Sequence, residues 1–148
     1  MTGTVRNARP EDFNEVFPLL EQLWADRKLD EDKLQSVFNL SIEAEKEFAF
    51  CYIENGQVVG FAAGTIQNDY CFAAPLCYVS VLVVDKKQRG SGIGTKLMDC
   101  VKTIASENGC GAVELASGFK REQAHTFYEK YGFERTAYFF CLQLQKGG

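Results

Sequence analysis

Apolar positions along the chain change their spacing several times, and each change predicts an element. Val5 to Ala8 reads as a short first strand. Phe13, Val16, Phe17, Leu20, Leu23 and Trp24 then recur at three- and four-residue steps, the stripe of a helix with one buried face. Pro10 suits the first turn of that helix, and Glu11 and Asp12 suit its positive end. Leu34, Val37 and Phe38 mark a second helix from about Asp30 to Leu40. Phe48–Ile53 and Val58–Ile66 read as strands joined by Glu54-Asn55-Gly56-Gln57, whose Asn-Gly pair supplies the positive φ angles of a hairpin turn. Gln67 to Pro75 is expected as a loop carrying Tyr70 and Phe72. Leu76–Val84 is the strongest strand, and its unbroken Val81-Leu82-Val83-Val84 run predicts a position covered on both faces. Ile93, Leu97, Met98, Val101, Ile104 and Ala105 give a long helix ending near Asn108-Gly109, followed by a strand over Ala112–Ala116. Ala124, Phe127, Tyr128 and Tyr131 line a short helix that Gly132 caps. Ala137–Leu144 is predicted as a last strand. Strands and helices alternate around a central hairpin, which predicts the α/β class with a mixed sheet.

Composition narrows the function. At 148 residues the chain is expected to form a single domain over 1–148. Its 46% hydrophobic and 24% charged content excludes disorder. No apolar run approaches the roughly 18 residues of a membrane span, so no membrane role is expected. Residues Met1 to Pro10 hold no apolar core of a secretory signal, so a cytoplasmic location is expected. The net charge of −4 argues against nucleic acid, which attracts basic surfaces. Six cysteines and one histidine show no zinc-like spacing, so no metal is expected and the thiols are read as reduced.

The chemistry is concentrated in Asp85-Lys86-Lys87-Gln88-Arg89-Gly90-Ser91-Gly92-Ile93-Gly94-Thr95-Lys96, between a buried strand and a helix start. Glycines there let backbone N–H groups approach a ligand, and the helix start adds partial positive charge, so a phosphate is the natural guest. A Walker loop fails because Thr95 stands where its second glycine belongs. The dinucleotide fingerprint fails because Gly94 comes one residue early, although Glu114 lies about 20 residues on, where that fold's ribose-binding acid belongs.

Arg89-Gly90-Ser91-Gly92-Ile93-Gly94 resembles the [QR]-x-x-G-x-[GA] loop of the GCN5-related N-acetyltransferases. Phe127-Tyr128-Glu129-Lys130-Tyr131-Gly132-Phe133 resembles that family's F-Y-x-x-x-G-F signature, in the same order and at a typical separation. Within the family, the stretch from Val113 to Tyr128 looks most like small-amine acetyltransferases, including aminoalkylphosphonate enzymes. The resemblance implies a mostly antiparallel sheet of about six to seven strands flanked by about four helices. It also implies acetyl-CoA as co-substrate, in a cleft where strands four and five splay apart.

On these residues, the resemblance puts the pantetheine arm along the main chain of Leu82, Val83 and Val84, with an oxyanion donor near Val83. It puts the phosphates on the backbone around Arg89, Gly90, Ser91, Gly92, Ile93, Gly94 and Thr95. Tyr128 matches the tyrosine beside the departing sulfur, the general acid, and Tyr131 on the same face is the reserve candidate. Without the resemblance, either tyrosine reads as a core aromatic. Arg121 stands where many relatives carry Asn, and it reads either as a ligand to an anionic group or as solvated surface. Tyr78-Val79-Ser80-Val81 lacks the strand-four glutamate of many relatives, so the base is unassigned. Asp69 and Glu114 are candidates, and a water chain or an already neutral amine would serve as well. His125 lies off the apolar stripe and reads as structural or surface. The expected activity is acetyl transfer to a primary amine, of a small molecule before a protein N-terminus or lysine, with a non-catalytic acyl-CoA-binding module as the rival. Pairing through the last strand or the exposed sheet face leaves room for a homodimer.

Overall fold

A computed structural model describes residues 3–145. Five strands, β1 (Thr4–Asn7), β2 (Glu47–Glu54), β3 (Gln57–Asp69), β4 (Ala74–Val84) and β5 (Val113–Leu115), form one sheet in the order β1-β2-β3-β4-β5. All neighbours are antiparallel except β4 and β5, which run parallel. Among the described residues, four helices cover the sheet: α1 (Phe13–Leu23), α2 (Glu31–Glu43), α3 (Ile93–Glu107) and α4 (Glu122–Tyr131).

The helices divide between the two faces, as the alternation of side chains along each strand requires. Phe13, Val16, Leu19 and Leu20 of α1 and Phe38 of α2 bury against Cys51, Phe61 and Val83. Ile93, Leu97, Met98 and Val101 of α3, with Tyr128 of α4, bury against Tyr52, Ala62, Cys77 and Val79 on the other face. Single 3-10 turns precede α1 at Pro10–Asp12 and follow β4 at Lys86–Gln88. The β2–β3 turn carries Asn55 at φ +51° and Gly56 at φ +74°, as the Asn-Gly pair predicts.

Three sequence expectations are corrected. The sheet has five strands among the described residues rather than six or seven. The predicted strand over Ala137–Leu144 makes no sheet pairing, since β propensity supplies a strand only where an edge receives it. The predicted Gln67–Pro75 loop is shorter, because β3 runs to Asp69 and β4 starts at Ala74, leaving a four-residue turn.

Candidate functional site

β4 and β5 pair only from Cys77↔Val113 to Val79↔Leu115. Beyond Val79, β4 continues for five residues while β5 ends, so the two chains diverge and Ser80–Val84 lose a neighbour on that side. On the β3 side, Ala63 pairs with Val81 and Gly64 with Val79, which leaves Ser80 as the extra residue of a β-bulge. Gly64 accommodates the bulge: a Cβ there would lie 2.1 Å from the Tyr78 carbonyl oxygen. The Ser80 hydroxyl donates to Ala63 O at 3.2 Å.

The ladder also decides which main-chain groups face the gap. The Asp85 N–H donates to Val59 O at 2.8 Å. Hydrogen-bonded and non-hydrogen-bonded pairs alternate from there, so Val83 turns its N–H and C=O toward Phe61 on β3. Those of Leu82 and Val84 turn toward the gap. Val83, expected to meet the ligand through its main chain, instead turns those groups to β3, and its side chain lies in the α1 core. Arg89 Nε donates to Val84 O at 3.0 Å, pinning the loop to the strand end. Gln22 of α1 ties down the same junction, donating to Asp85 and accepting from the Lys86 N–H at 3.0 Å.

The glycine loop has the form an anion site needs. Gly90 and Gly92 hold φ of +84° and +87°, and a Cβ on Gly90 would meet nothing within 4 Å. Gly92 caps the fifteen-residue α3, whose first N–H groups face the loop. Among the other residues of the motif, roles separate. The Ser91 hydroxyl turns back onto Gln88 O. Ile93 is buried in the core, so only its backbone is offered, and Thr95 is exposed. A Cβ on Gly94 would lie 3.3 Å from Phe127, so that glycine also permits α3 and α4 to pack closely.

A cavity of about 700 Å³ occupies the divergence. Val79, Ser80 and Leu82 line one wall, Leu115–Arg121 the other, and Leu23–Arg27 after α1 the rim, with Tyr128 among the lining residues. Tyr128 is 8% exposed and packs edge-on against Phe127 and Phe133, at 5.7 and 5.8 Å between ring centres. Its hydroxyl has no hydrogen-bond partner among the described residues. Tyr131 is drawn elsewhere: its hydroxyl donates to Asp99 Oδ1 at 2.6 Å, and burial together with that carboxylate raises its pKa well above the phenol range. It does not line the cavity, and the reserve role falls away.

Arg121 lines the cavity, half-buried, and donates to the Ser117 hydroxyl at 3.3 Å. His125 contacts Gly118 O at 2.8 Å, a structural tie to the β5–α4 loop. Neither sequence candidate for the base reaches the site. Asp69 accepts from the Phe72 N–H in the β3–β4 turn, and Glu114 lies exposed on β5 outside the lining. The carboxylate that does line the cavity is Asp26, in the turn after α1. No motif marks that turn; its one signal is the Pro-free polar break after the α1 stripe, at Ala25-Asp26-Arg27-Lys28. Among the described residues no three His, Cys, Asp or Glu side chains gather as a metal site would need.

A bulged strand parts from its parallel neighbour above a glycine-capped helix, the arrangement that the resemblance to the GCN5-related N-acetyltransferases implies, and the family comparison agrees with that resemblance. Residues 11–133 match the acetyltransferase (GNAT) family, and the chain belongs to that family. It is an acetyl-CoA-dependent N-acetyltransferase. An aminoglycoside N(6')-acetyltransferase type 1 of Stenotrophomonas maltophilia is 28% identical over 136 residues, 90% of this chain and 87% of the relative. An aminoalkylphosphonate N-acetyltransferase of Salmonella typhimurium is 27% identical over 140 residues, covering 95% and 90%. The solved aminoglycoside N-acetyltransferase AAC(6')-Iy, in complex with CoA, superposes with a TM-score of 0.86 at 19% identity over 97% of this chain and 95% of its own.

Proposed function

We propose that the chain moves an acetyl group from acetyl-CoA to the primary amine of a small molecule by direct attack, with Tyr128 as general acid. The observation that carries this reading is the Tyr128 hydroxyl, unpartnered in the wall of the cavity where β4 leaves β5. The backbone of Arg89–Thr95 takes the pyrophosphate, with Gly90 and Gly92 keeping it open. Leu82 and Val84 offer main-chain groups to the pantetheine arm, and an N–H of this strand end steadies the oxyanion. Attack forms the C–N bond; collapse breaks the C–S bond, and the phenol supports the leaving thiolate by proton donation. Exposed Asp26 at the rim holds the incoming ammonium and accepts its proton, filling the role that Asp69 and Glu114 cannot.

The acceptor class follows from the lining. One carboxylate, Asp26, faces three cations, Arg27, Lys120 and Arg121. An amine that also carries an anionic group suits that balance better than a polycation. Among the relatives' acceptors, an aminoalkylphosphonate fits this description and an aminoglycoside does not. We place the reaction in the cytoplasm, in keeping with six free cysteines, and assign no part in it to membranes or nucleic acid. We take the working particle as a homodimer.

The test is turnover followed by product mass with aminoalkylphosphonates, phosphorylated amino sugars, aminoglycosides and polyamines. The expected result is acetylation fastest on the zwitterionic amines, with the Asp26→Asn variant at least tenfold slower. Acetylation of none of them, with acetyl-CoA still bound, would contradict the small-amine reading.

A further inference from the structure

The two faces of β4 change places part-way along the strand. Cys77 and Val79 bury on the side of α3 and α4, while Val81 and Val83 belong to the side of α1. Residues two apart on a regular strand share a face. The change between Val79 and Val81 therefore comes from the one inserted residue, Ser80. Its side chain serves neither core. It is exposed, and it lines the same cavity as Asp26 and Tyr128.

A serine hydroxyl has one hydrogen to donate and two lone pairs with which to accept. The hydrogen of Ser80 is committed to Ala63 O at 3.2 Å, an oxygen that can only accept. What Ser80 turns to the cavity is therefore an acceptor and not a donor. The neighbouring hydroxyls differ. Ser117 already accepts from Arg121 at 3.3 Å, and Tyr128 keeps its hydrogen free.

That polarity suits the nucleophile of acetyl transfer. An attacking amine needs its lone pair free for the thioester carbonyl, and its N–H groups need acceptors that fix its direction. A hydroxyl free to turn would donate to the lone pair and quench it; one held by Ala63 O does not. We infer that Ser80 orients the attacking amine by accepting one of its N–H groups, and that it thereby selects primary over secondary amines. A neutral primary amine gives one N–H to Ser80 and one to Asp26, whereas a secondary amine has a single N–H and leaves one acceptor unmatched. The nitrogen lone pair forms the C–N bond, and the C–S pair passes to sulfur. The proton that nitrogen sheds leaves by way of Asp26, and Tyr128 protonates the thiolate. Ser80 keeps its own proton throughout. As the nitrogen becomes cationic its N–H donates more strongly, so the bond to Ser80 gains strength toward the transition state. The assignment rests on the reading that acetyl transfer takes place in this cavity.

The test compares primary amines with their N-methyl counterparts, using aminoethylphosphonate, glucosamine phosphate and putrescine, with product followed by mass. In the native chain, kcat/KM for the primary amine is expected to exceed that for its N-methyl counterpart at least tenfold. Ser80→Ala is expected to lower the primary-amine value about tenfold or more, the worth of one hydrogen bond to a charged group. It should bring the ratio within about threefold, while the acetyl-CoA KM and the melting-temperature rise given by acetyl-CoA stay native. Ser80→Thr keeps the hydroxyl and is expected to restore the ratio. Should Ser80→Ala fail to fold, Ser80→Cys puts a weak acceptor in the same space and must narrow the ratio likewise. Equal slowing of both amines, with the ratio unchanged, would mean that Ser80 only supports the bulge, and overturns the inference. A native chain without preference for the primary amine, or native rates in Ser80→Ala, overturns it equally. Turnover of no amine by the native chain, with acetyl-CoA bound, would instead contradict the small-amine reading itself, and the role of Ser80 falls with it.

Discussion

Asp12 and Tyr128 are both buried polar side chains, and their surroundings give them opposite uses. Asp12 is fully engaged. It accepts two bonds from Arg6, at 2.7 and 2.9 Å, one from the Arg9 N–H at 2.7 Å, and the weak Cys51 thiol contact at 3.8 Å. The hydrogen bond from Arg6, foremost, holds its carboxyl below the usual aspartate range, while burial pushes the Cys51 thiol up to about 12. This is a structural group. Because its pKa is depressed in the fold, its contribution is complete above the ordinary aspartate pKa and disappears as pH falls through the folded value. Asp12→Asn is expected to cost about 2–4 kcal/mol near neutrality, since it leaves Arg6 without its carboxylate partner. The difference in urea midpoint between the variant and the native chain should shrink as pH falls from 5 to 2; a constant difference would contradict it. The Tyr128 hydroxyl, by contrast, has no such partner and faces a cavity. From sequence the two tyrosines of α4 were separable only through the family resemblance. Tyr131 and Tyr128 share a helical stripe, and what distinguishes them is Asp99, 32 positions away in sequence.

Elements carry the site's geometry, and here the chain is most legible. Asn55-Gly56 announces its turn because few other pairs tolerate two successive positive φ angles. The glycines before α3 likewise take positive φ angles, in the loop proposed to hold the pyrophosphate. Gly92→Ala tests the loop as an element. An alanine at φ +87° carries roughly 1–2 kcal/mol of strain, which at this chain length lowers the melting temperature by several degrees. The methyl also crowds the backbone approach, so the melting-temperature rise given by about 1 mM acetyl-CoA is expected to fall by more than half. A variant that keeps the full rise would remove Gly92 from the site. The β4 bulge at Ser80 was not legible. Its signal is Gly64 on another strand, and only the register of β3 against β4 relates the two positions. Likewise the carboxylate at the rim comes from the turn after α1. Its position over β4 depends on Gln22 clasping Asp85 and Lys86, a long-range contact without a local pattern.

At the scale of the molecule, the fold is two helical layers on a sheet that parts at one place. The parting arises because β5 is three residues long while β4 has eleven, a difference that apolar runs alone do not specify. The expected sheet is larger because the family resemblance implies six to seven strands, and the apolar run at Ala137–Leu144, which reads as a strand, makes no sheet pairing among the described residues. Pattern reveals a strand's appetite for pairing but not the edge that meets it. The whole arrangement brings Val79, Ser80 and Leu82 of β4 and the Tyr128 phenol to a single cavity, with the glycine-capped start of α3 following the end of the same strand. The proposed mechanism assigns binding and chemistry to separate residues, and one substitution separates them. In Tyr128→Phe, the melting-temperature rise given by acetyl-CoA should match that of the native chain, and its KM should stay within about twofold. Its kcat should fall about 100-fold, the loss that removing a general acid brings. A Tyr128→Phe variant that turns over at the native rate, with an acetyl-transfer step shown by burst kinetics to limit the reaction, would contradict the account.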